Sequence, residues 1–259
     1  MSQRLLKKVA IITGSAQGIG ESIARLFAEH GADLILFDLN AQKLETLANE
    51  LTDKFGCKVL PVSVDVSDAL QVQAAIETSL TTFKRIDVLV NNAGVNVFSD
   101  LNSLELTDWE RCLNINLKGA MLCTKAILPT MLNQSYGHIV NISSTHGHKI
   151  IRGALPYTVS KHGLLGLTKS VGIEYADRGI RANSISPGLI DTPIAQKYFN
   201  EFPEPELEKL RQENFLPCKR MGNPTEVAYT ALFLASDEAL FINATDILID
   251  GGRCQVYLD

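Results

Sequence analysis

The sequence predicts an α/β protein: one doubly wound parallel sheet of seven strands, flanked by helices. Three observations carry this expectation. Short runs rich in Val, Ile and Leu alternate with longer stretches of helical period from one end of the 259 residues to the other. The strand runs are apolar throughout instead of alternating, as strands covered on both faces require. No repeat, low-complexity tract or linker interrupts them, so residues 1–259 read as a single domain. Strand–helix alternation of this kind implies right-handed crossovers, with ligands bound outside the carboxyl ends of the strands.

Taken in order, the strands are expected at 9–13, 34–38, 58–64, 86–91, 138–143, 181–187 and 247–250. Helices are expected near 18–30, 40–55, 68–82, 107–133, 157–178 and 224–236. Thr107-Asp-Trp-Glu110 and Asn223-Pro-Thr-Glu226 both read as an N-cap with a glutamate three residues on, and Pro224 adds a proline at the first helical position. Pro61 falls inside the third strand, where its missing N–H is tolerable only at a sheet edge. In the order 3-2-1-4-5-6 that strand is the edge. The stretch 188–217 is irregular, rich in charge and aromatic residues. Its place after the sixth strand suggests a substrate lid.

Composition narrows the function classes. Lys and Arg number 24 against 29 Asp and Glu, and no basic block breaks this mild acidity, which argues against a nucleic-acid or polybasic membrane surface. The five cysteines are scattered and show no CxxC spacing, as expected of reduced cytosolic thiols and not of a disulfide framework or a zinc site. The apolar run that follows the basic start stops at Thr13-Gly14, too soon for a signal peptide. No apolar run is long enough to cross a membrane. A soluble cytoplasmic protein acting on a small molecule is expected, with no metal.

The segment Thr13-Gly14-Ser15-Ala16-Gln17-Gly18-Ile19-Gly20 lies between the first strand and the first helix. Its glycines permit a tight turn and close backbone approach to a pyrophosphate, and the helix N-terminus beyond offers free N–H groups. About twenty residues on, Asp38 ends the second strand, where a carboxylate can hold ribose hydroxyls and repel a 2′-phosphate. Neither Gln17 nor Leu39 supplies a compensating cation, so NAD is the expected cofactor. Asp65-Val66, ending the third strand, and Asn91-Asn92-Ala93-Gly94, ending the fourth, line the same cleft. Tyr157 and Lys161 stand four apart at the start of a predicted helix, hence on one face. A lysine ammonium and a nicotinium charge would favour tyrosinate, which makes the phenol a usable acid/base. The strand ending Asn141-Ile-Ser-Ser144 brings a hydroxyl near, and Asn116 completes the constellation.

With these residues in place the chain resembles the short-chain dehydrogenases/reductases, a Rossmann-like family, over essentially its whole length. The matching segments run TGSAQGIG at 13–20, Asp38, Asp65-Val66, NNAG at 91–94, NINLKG at 114–119, ISS at 142–144, YTVSK at 157–161, SPGLIDTP at 186–193 and IDGG at 249–252. The resemblance implies Tyr157 as general acid/base and Ser144, thirteen residues before it, as the group that polarises the substrate oxygen. It also implies Lys161 on the nicotinamide ribose and Asn116 holding a water in a proton relay. Pro187, Gly188, Ile190 and Thr192 would cradle the carboxamide end of the cofactor. Two departures stand out. Ile242-Asn243-Ala244 replaces the family's usual Ile-Thr-Gly, and Asp246 replaces an apolar residue; both are expected to affect local backbone or subunit contacts, not chemistry.

For the substrate, Asn96, His146, His148, Lys149, Arg152 and His162 should flank the cleft, a density of donors that suits a sugar, polyol or sugar acid. The resemblance also allows a 3-oxoacyl or steroid-type ketoreductase, and a non-catalytic NAD-binding regulator is the alternative of another class. Helices apolar on more than one face, and the family's habit of pairing them, imply a homotetramer whose tail, with Tyr257, could reach a neighbouring site.

Overall fold

A computed structural model describes residues 3–257. The seven strands are β1 Val9–Thr13, β2 Asp33–Asp38, β3 Val59–Ser63, β4 Val88–Asn91, β5 Gly137–Ile142, β6 Ile180–Pro187 and β7 Asp246–Ile249. They lie in the order β3-β2-β1-β4-β5-β6-β7, and every neighbouring pair is parallel. Pro61 sits on β3, the edge strand, as its missing donor demands.

Helices cover both faces. α1 (Gly18–Glu29), α2 (Ala41–Phe55) and α9 (Pro224–Ala235) pack on one, where Ala10, Ile12, Leu34 and Leu36 point. α3 (Ala69–Phe83), α5 (Gly119–Gln134) and α6 (Leu155–Glu174) pack on the other, meeting Ile11, Ile35, Phe37 and Ile139. Successive strand residues therefore serve opposite cores, which is why the strands carry no polar alternation.

Several elements differ from expectation. The predicted helix 107–133 is broken: α4 spans Leu106–Leu113, a π-helical turn follows at Asn114–Lys118, and α5 resumes at Gly119. Asn116 lies buried in that turn. The N-cap expected at Thr107 does not form, because the helix begins at Leu106 and its flanking Glu105 makes no side-chain cap. By contrast Asn223 and Glu226 close a reciprocal capping box, with Glu226 accepting the Asn223 N–H at 2.7 Å. The helix expected at 157–178 starts two residues early and gives way to a 3₁₀ turn at Ala176–Arg178. The stretch 188–217 is not structureless: α7 (Pro193–Phe199) and α8 (Pro205–Phe215) form there, with Ala195, Phe199 and Met221 as a small core of their own.

Asn243 and Ala244 take the place of the expected Thr-Gly by a different device. Ala244 adopts φ +55°, a left-handed conformation that disfavours a Cβ. The Asn243 side chain holds the turn, accepting the N–H groups of Ala182 and Ala244 and donating to Gly172 O.

Candidate active site

The glycine-rich loop is shaped by packing against the end of β4. A Cβ at Gly14, whose φ is +63°, would stand 2.8 Å from Ala93 Cα, and one at Gly20 would collide with Gly14 O, so both positions admit only glycine. Thr13 Oγ1 accepts the N–H groups of Asn92 and Ala93, and the Asn92 amide donates to Thr13 O and Gly14 O. The Asn92 side chain thus holds the loop in shape. Ser15 is turned inward too, its hydroxyl 3.3 Å from Phe37 O. What this loop presents outward is main chain: the first N–H groups of α1, from Gly18, Ile19 and Gly20, have no partner within the helix. Side chains withdrawn, backbone donors converging at the positive end of a helix: this cradle fits a pyrophosphate.

Around it lie the other candidates for the dinucleotide. Asp38 accepts Ala16 N–H on one carboxylate oxygen and Asn40 N–H on the other, both at 3.0 Å, which fixes it between the loop and α2. Leu39 beside it is exposed. Gln17 is also exposed and accepts a hydrogen bond from Lys43 Nζ at 3.1 Å. The sequence reading placed no cation at this rim; α2 brings one there. Asp65 takes the N–H and hydroxyl of Ser67 on Oδ1, while Val66 is buried and packed on Gly119. Across the cleft, Pro187 closes β6 and Gly188 packs so closely on Asp250 that a Cβ would lie 2.9 Å from its Cα. Ile190 is buried and bridges to Gly222, and Thr192 caps α7 by accepting Ala195 N–H. The space above Gly18 ends at Thr192 Cγ2 and Pro193 Cδ, about 3.5 Å from where its Cβ would be.

The second half of the site hangs from β5 and α6. Because α6 starts at Leu155, Tyr157 sits in its first turn and Lys161 one turn further, with Nζ 5.5 Å from the phenol ring centroid. Ser144, just past β5, hydrogen-bonds the Tyr157 phenol, and its oxygen also accepts His146 N–H. Lys161 is buried and donates from Nζ to Ile142 O at 2.9 Å. Burial pulls its pKa down to about 8. In the free chain the Tyr157 phenol moves opposite to the expected shift: burial pushes it up to about 12, and the bond from Ser144 only partly opposes this. The lysine's ammonium points to a carbonyl and lies over the ring. Asn116 reaches the same point from the π turn, since a Cβ on Gly94 would meet both Asn116 Oδ1 and Lys161 Nζ. Its side chain clasps Val95 N and O and donates to Ser160 Oγ, which in turn donates to Tyr157 O.

The expected ring of substrate donors is only partly assembled. Asn96, Lys149 and Arg152 are exposed along the cleft-side loops. His162 is exposed and bonded to Thr158 O of its own helix. His148 turns away altogether, its Nε2 2.7 Å from Asp246 Oδ2 at the head of β7. His146 does face Tyr157, ring to ring at 5.6 Å, and burial lowers its pKa. Phe98, which no sequence signal singled out, completes an aromatic cluster at 5.5 Å from Tyr157 and 6.0 Å from His146. The wall nearest the phenol is therefore aromatic, a correction to the donor-rich pocket expected. The tail past β7 anchors the lid: Arg253 donates to Phe215 O and stacks over its ring, while Tyr257 is exposed and residues 258–259 lie outside those described.

Among the described residues no group of His, Cys, Asp and Glu could hold a metal, and no helix is long and apolar enough to cross a membrane. A doubly wound sheet with a phosphate cradle and a buried Ser–Tyr–Lys arrangement at its carboxyl edge defines a dinucleotide-dependent oxidoreductase. Comparison with known proteins agrees. A family model described as "Enoyl-(Acyl carrier protein) reductase" matches residues 14–253. Oxidoreductase UcpA of Escherichia coli is 42% identical over 252 residues, covering 96% of this chain and 95% of that one. D-threitol dehydrogenase of Mycolicibacterium smegmatis is 40% identical over 249 residues, 96% of this chain and 94% of that one. The crystal structure of levodione reductase superposes with a TM-score of 0.95 at 34% identity, covering 98% of this chain and 100% of that one. The chain belongs to the short-chain dehydrogenase/reductase family and is an oxidoreductase.

Proposed function

We propose that the chain passes a hydride between NAD and a secondary alcohol or its ketone, with Tyr157 as acid/base. One observation carries the reading: the Tyr157 phenol, hydrogen-bonded to Ser144, shares a buried pocket with the Lys161 ammonium one helical turn away. When bound, the nicotinamide would supply the hydride acceptor or donor. Main-chain N–H groups of residues 18–20 would hold the pyrophosphate, Asp38 the adenosine ribose, Lys161 the nicotinamide ribose, and the 187–192 segment the carboxamide end.

In carbonyl reduction Tyr157 gives its hydroxyl proton to the substrate oxygen while Ser144 steadies that oxygen by a hydrogen bond. In alcohol oxidation the proton returns to Tyr157. With the phenol pushed up to about 12, the acid form dominates at neutral pH, so reduction is served directly and oxidation gains as pH rises toward that value. Asn116 positions this machinery by joining Val95 to Ser160, behind Tyr157.

For the substrate we favour a small polyol, sugar or sugar acid. The edges of Phe98 and His146 suit the C–H face of such a molecule, and exposed Asn96, Lys149 and Arg152 offer hydroxyl and carboxylate partners. D-threitol dehydrogenase among the relatives supports this. The aromatic cluster also favours a second reading, an apolar cyclic ketone. A panel of polyols, sugar acids, cyclic ketones and 3-oxoacyl thioesters, followed by NADH absorbance, separates these. Tyr157→Phe should lower turnover about 10²–10⁴-fold with NAD binding retained. Retained turnover would overturn the mechanism, and a wild type inert on every class would favour a regulator that binds NAD without chemistry.

We further propose a cytoplasmic homotetramer. The five cysteines are free thiols, and Met121, Val159 and Ile173 expose apolar surface on α5 and α6 that a second copy would cover. Light scattering should show four chains; a mass near 28.3 kDa at micromolar concentration would refute this.

A further inference from the structure

Asp246 stands where the family pattern has an apolar residue, and the structure gives it three partners. It opens β7 opposite Ser184 of β6, with only 9% of its side chain exposed. Its Oδ1 accepts the hydroxyls of Ser184, at 2.5 Å, and of Ser186, at 3.0 Å. Its Oδ2 accepts from His148 Nε2 at 2.7 Å, and Ser186 Oγ lies 3.4 Å from the same nitrogen. Both serines are buried, so the carboxylate is anchored in the sheet before it meets the histidine. A leucine or valine here would strand two buried hydroxyls and the imidazole donor.

His148 belongs to the segment that runs from Ser144 over the ends of β5 and β6 toward Tyr157. Gly147 is pressed against α6, where a Cβ would lie 2.9 Å from Leu165 Cδ1. His148 follows at once, and residues 149–153 are all exposed, with Ile150 and Ile151 offering bare apolar side chains. The His148–Asp246 bond is thus the last fixed point of the segment before its free crest. Two residues upstream, His146 packs on Tyr157. Whatever holds His148 also sets where that aromatic wall stands.

We propose that Asp246 is a positioning residue for substrate selectivity: through His148 it tethers residues 145–152 to the edge strand and fixes the wall facing Tyr157. A bond between a carboxylate and an imidazole is stronger than one between neutral groups and suits a tether across exposed loop. The proposal rests on the reading that the Ser144–Tyr157 cleft takes the substrate. It predicts that substrate affinity depends on Asp246 while cofactor affinity does not, since the glycine loop and Asp38 share no contact with this network.

The test compares wild type with Asp246→Val, Asp246→Asn and His148→Ala; the last alters an exposed side chain and guards against a folding failure in the first. Amide hydrogen exchange of the peptide spanning 145–153 should quicken about tenfold or more in Asp246→Val and in His148→Ala, with β1–β4 unchanged, as loss of a bond to a charged group implies. Asp246→Asn, which keeps an acceptor oxygen, should restore much of the protection. With the best alcohol from the panel, KM should rise about tenfold in both disruptive variants while kcat and the KM for NAD stay within about twofold. The double variant should be no worse than the worse single one. Unchanged loop exchange, an equal rise in the KM for NAD, or additive effects in the double variant would each overturn the proposal. Hydrogen exchange needs no substrate, so a wild type inert on the whole panel would sink the functional reading and leave the tether to be judged by exchange and coupling.

Discussion

Replacing Lys161 by methionine should make the folded chain more stable at neutral pH while removing its activity. The ammonium's pKa falls from 10.5 to about 8 on folding because the group is buried with one carbonyl partner. At about 1.4 kcal/mol per pH unit this is a cost near 3 kcal/mol, fully present below pH 8 where the lysine is charged in both states. Between pH 8 and 10.5 the folded chain releases the proton that the unfolded chain still binds, so wild-type stability rises relative to the variant. Methionine removes the charge but also the bond to Ile142 O, which takes back about 1–3 kcal/mol. The net gain at pH 7 is therefore small, roughly 0–2 kcal/mol, and the informative quantity is its change with pH. Urea unfolding of both proteins at pH 7, 8, 9 and 10 should show the variant's advantage falling by about 2.5 kcal/mol across that range. Parallel curves would mean that the ammonium is not desolvated in the folded chain, and the electrostatic account of the pocket would fail with them.

Other expectations follow from single residues. Asp38→Ser removes the carboxylate but leaves the Lys43 ammonium at the same rim, so the ratio of kcat/KM for NAD over NADP should narrow; a wild type already faster with NADP would refute the assignment. Ala244→Gly relieves a left-handed alanine and should stabilise the chain by about 0.5–1 kcal/mol in thermal or urea unfolding; no gain would mean that the Asn243 bonds already remove the strain.

The strands, their order and the edge position of β3 were readable because each depends on a local rule: continuous apolar runs, helical period between them, a proline that only an edge tolerates. The glycine loop, Asp38, Ser144, Tyr157 and Lys161 were readable because their spacings are fixed by strand ends and one helical turn. What escaped the sequence depends on contacts between distant segments. Phe98 reaches Tyr157 from a loop without regular structure, Lys43 meets Gln17 only because α2 folds back over α1, and His148 leaves the cleft because Asp246 arrives from nearly one hundred residues away. The upward shift of the phenol was missed for a related reason: a spacing of four shows proximity but not where the ammonium points.

The π turn at Asn114–Lys118 holds one residue more than an α-helix would need to cover the same rise, since Gly119 N–H reaches back to Asn114 O. It therefore acts as a phase shifter between two helices that share an axis. Each residue of an α-helix advances about 100°, so deleting any one residue of this turn would let the ladder close regularly and swing everything beyond it by that angle. Cys123, Ile127 and Met131, all buried against the sheet, would rotate off it together. The local gain in helical regularity would be outweighed by the core it misaligns. Single-residue deletions should consequently be tolerated far less here than in the exposed crest at 149–153, although both segments are about equally short.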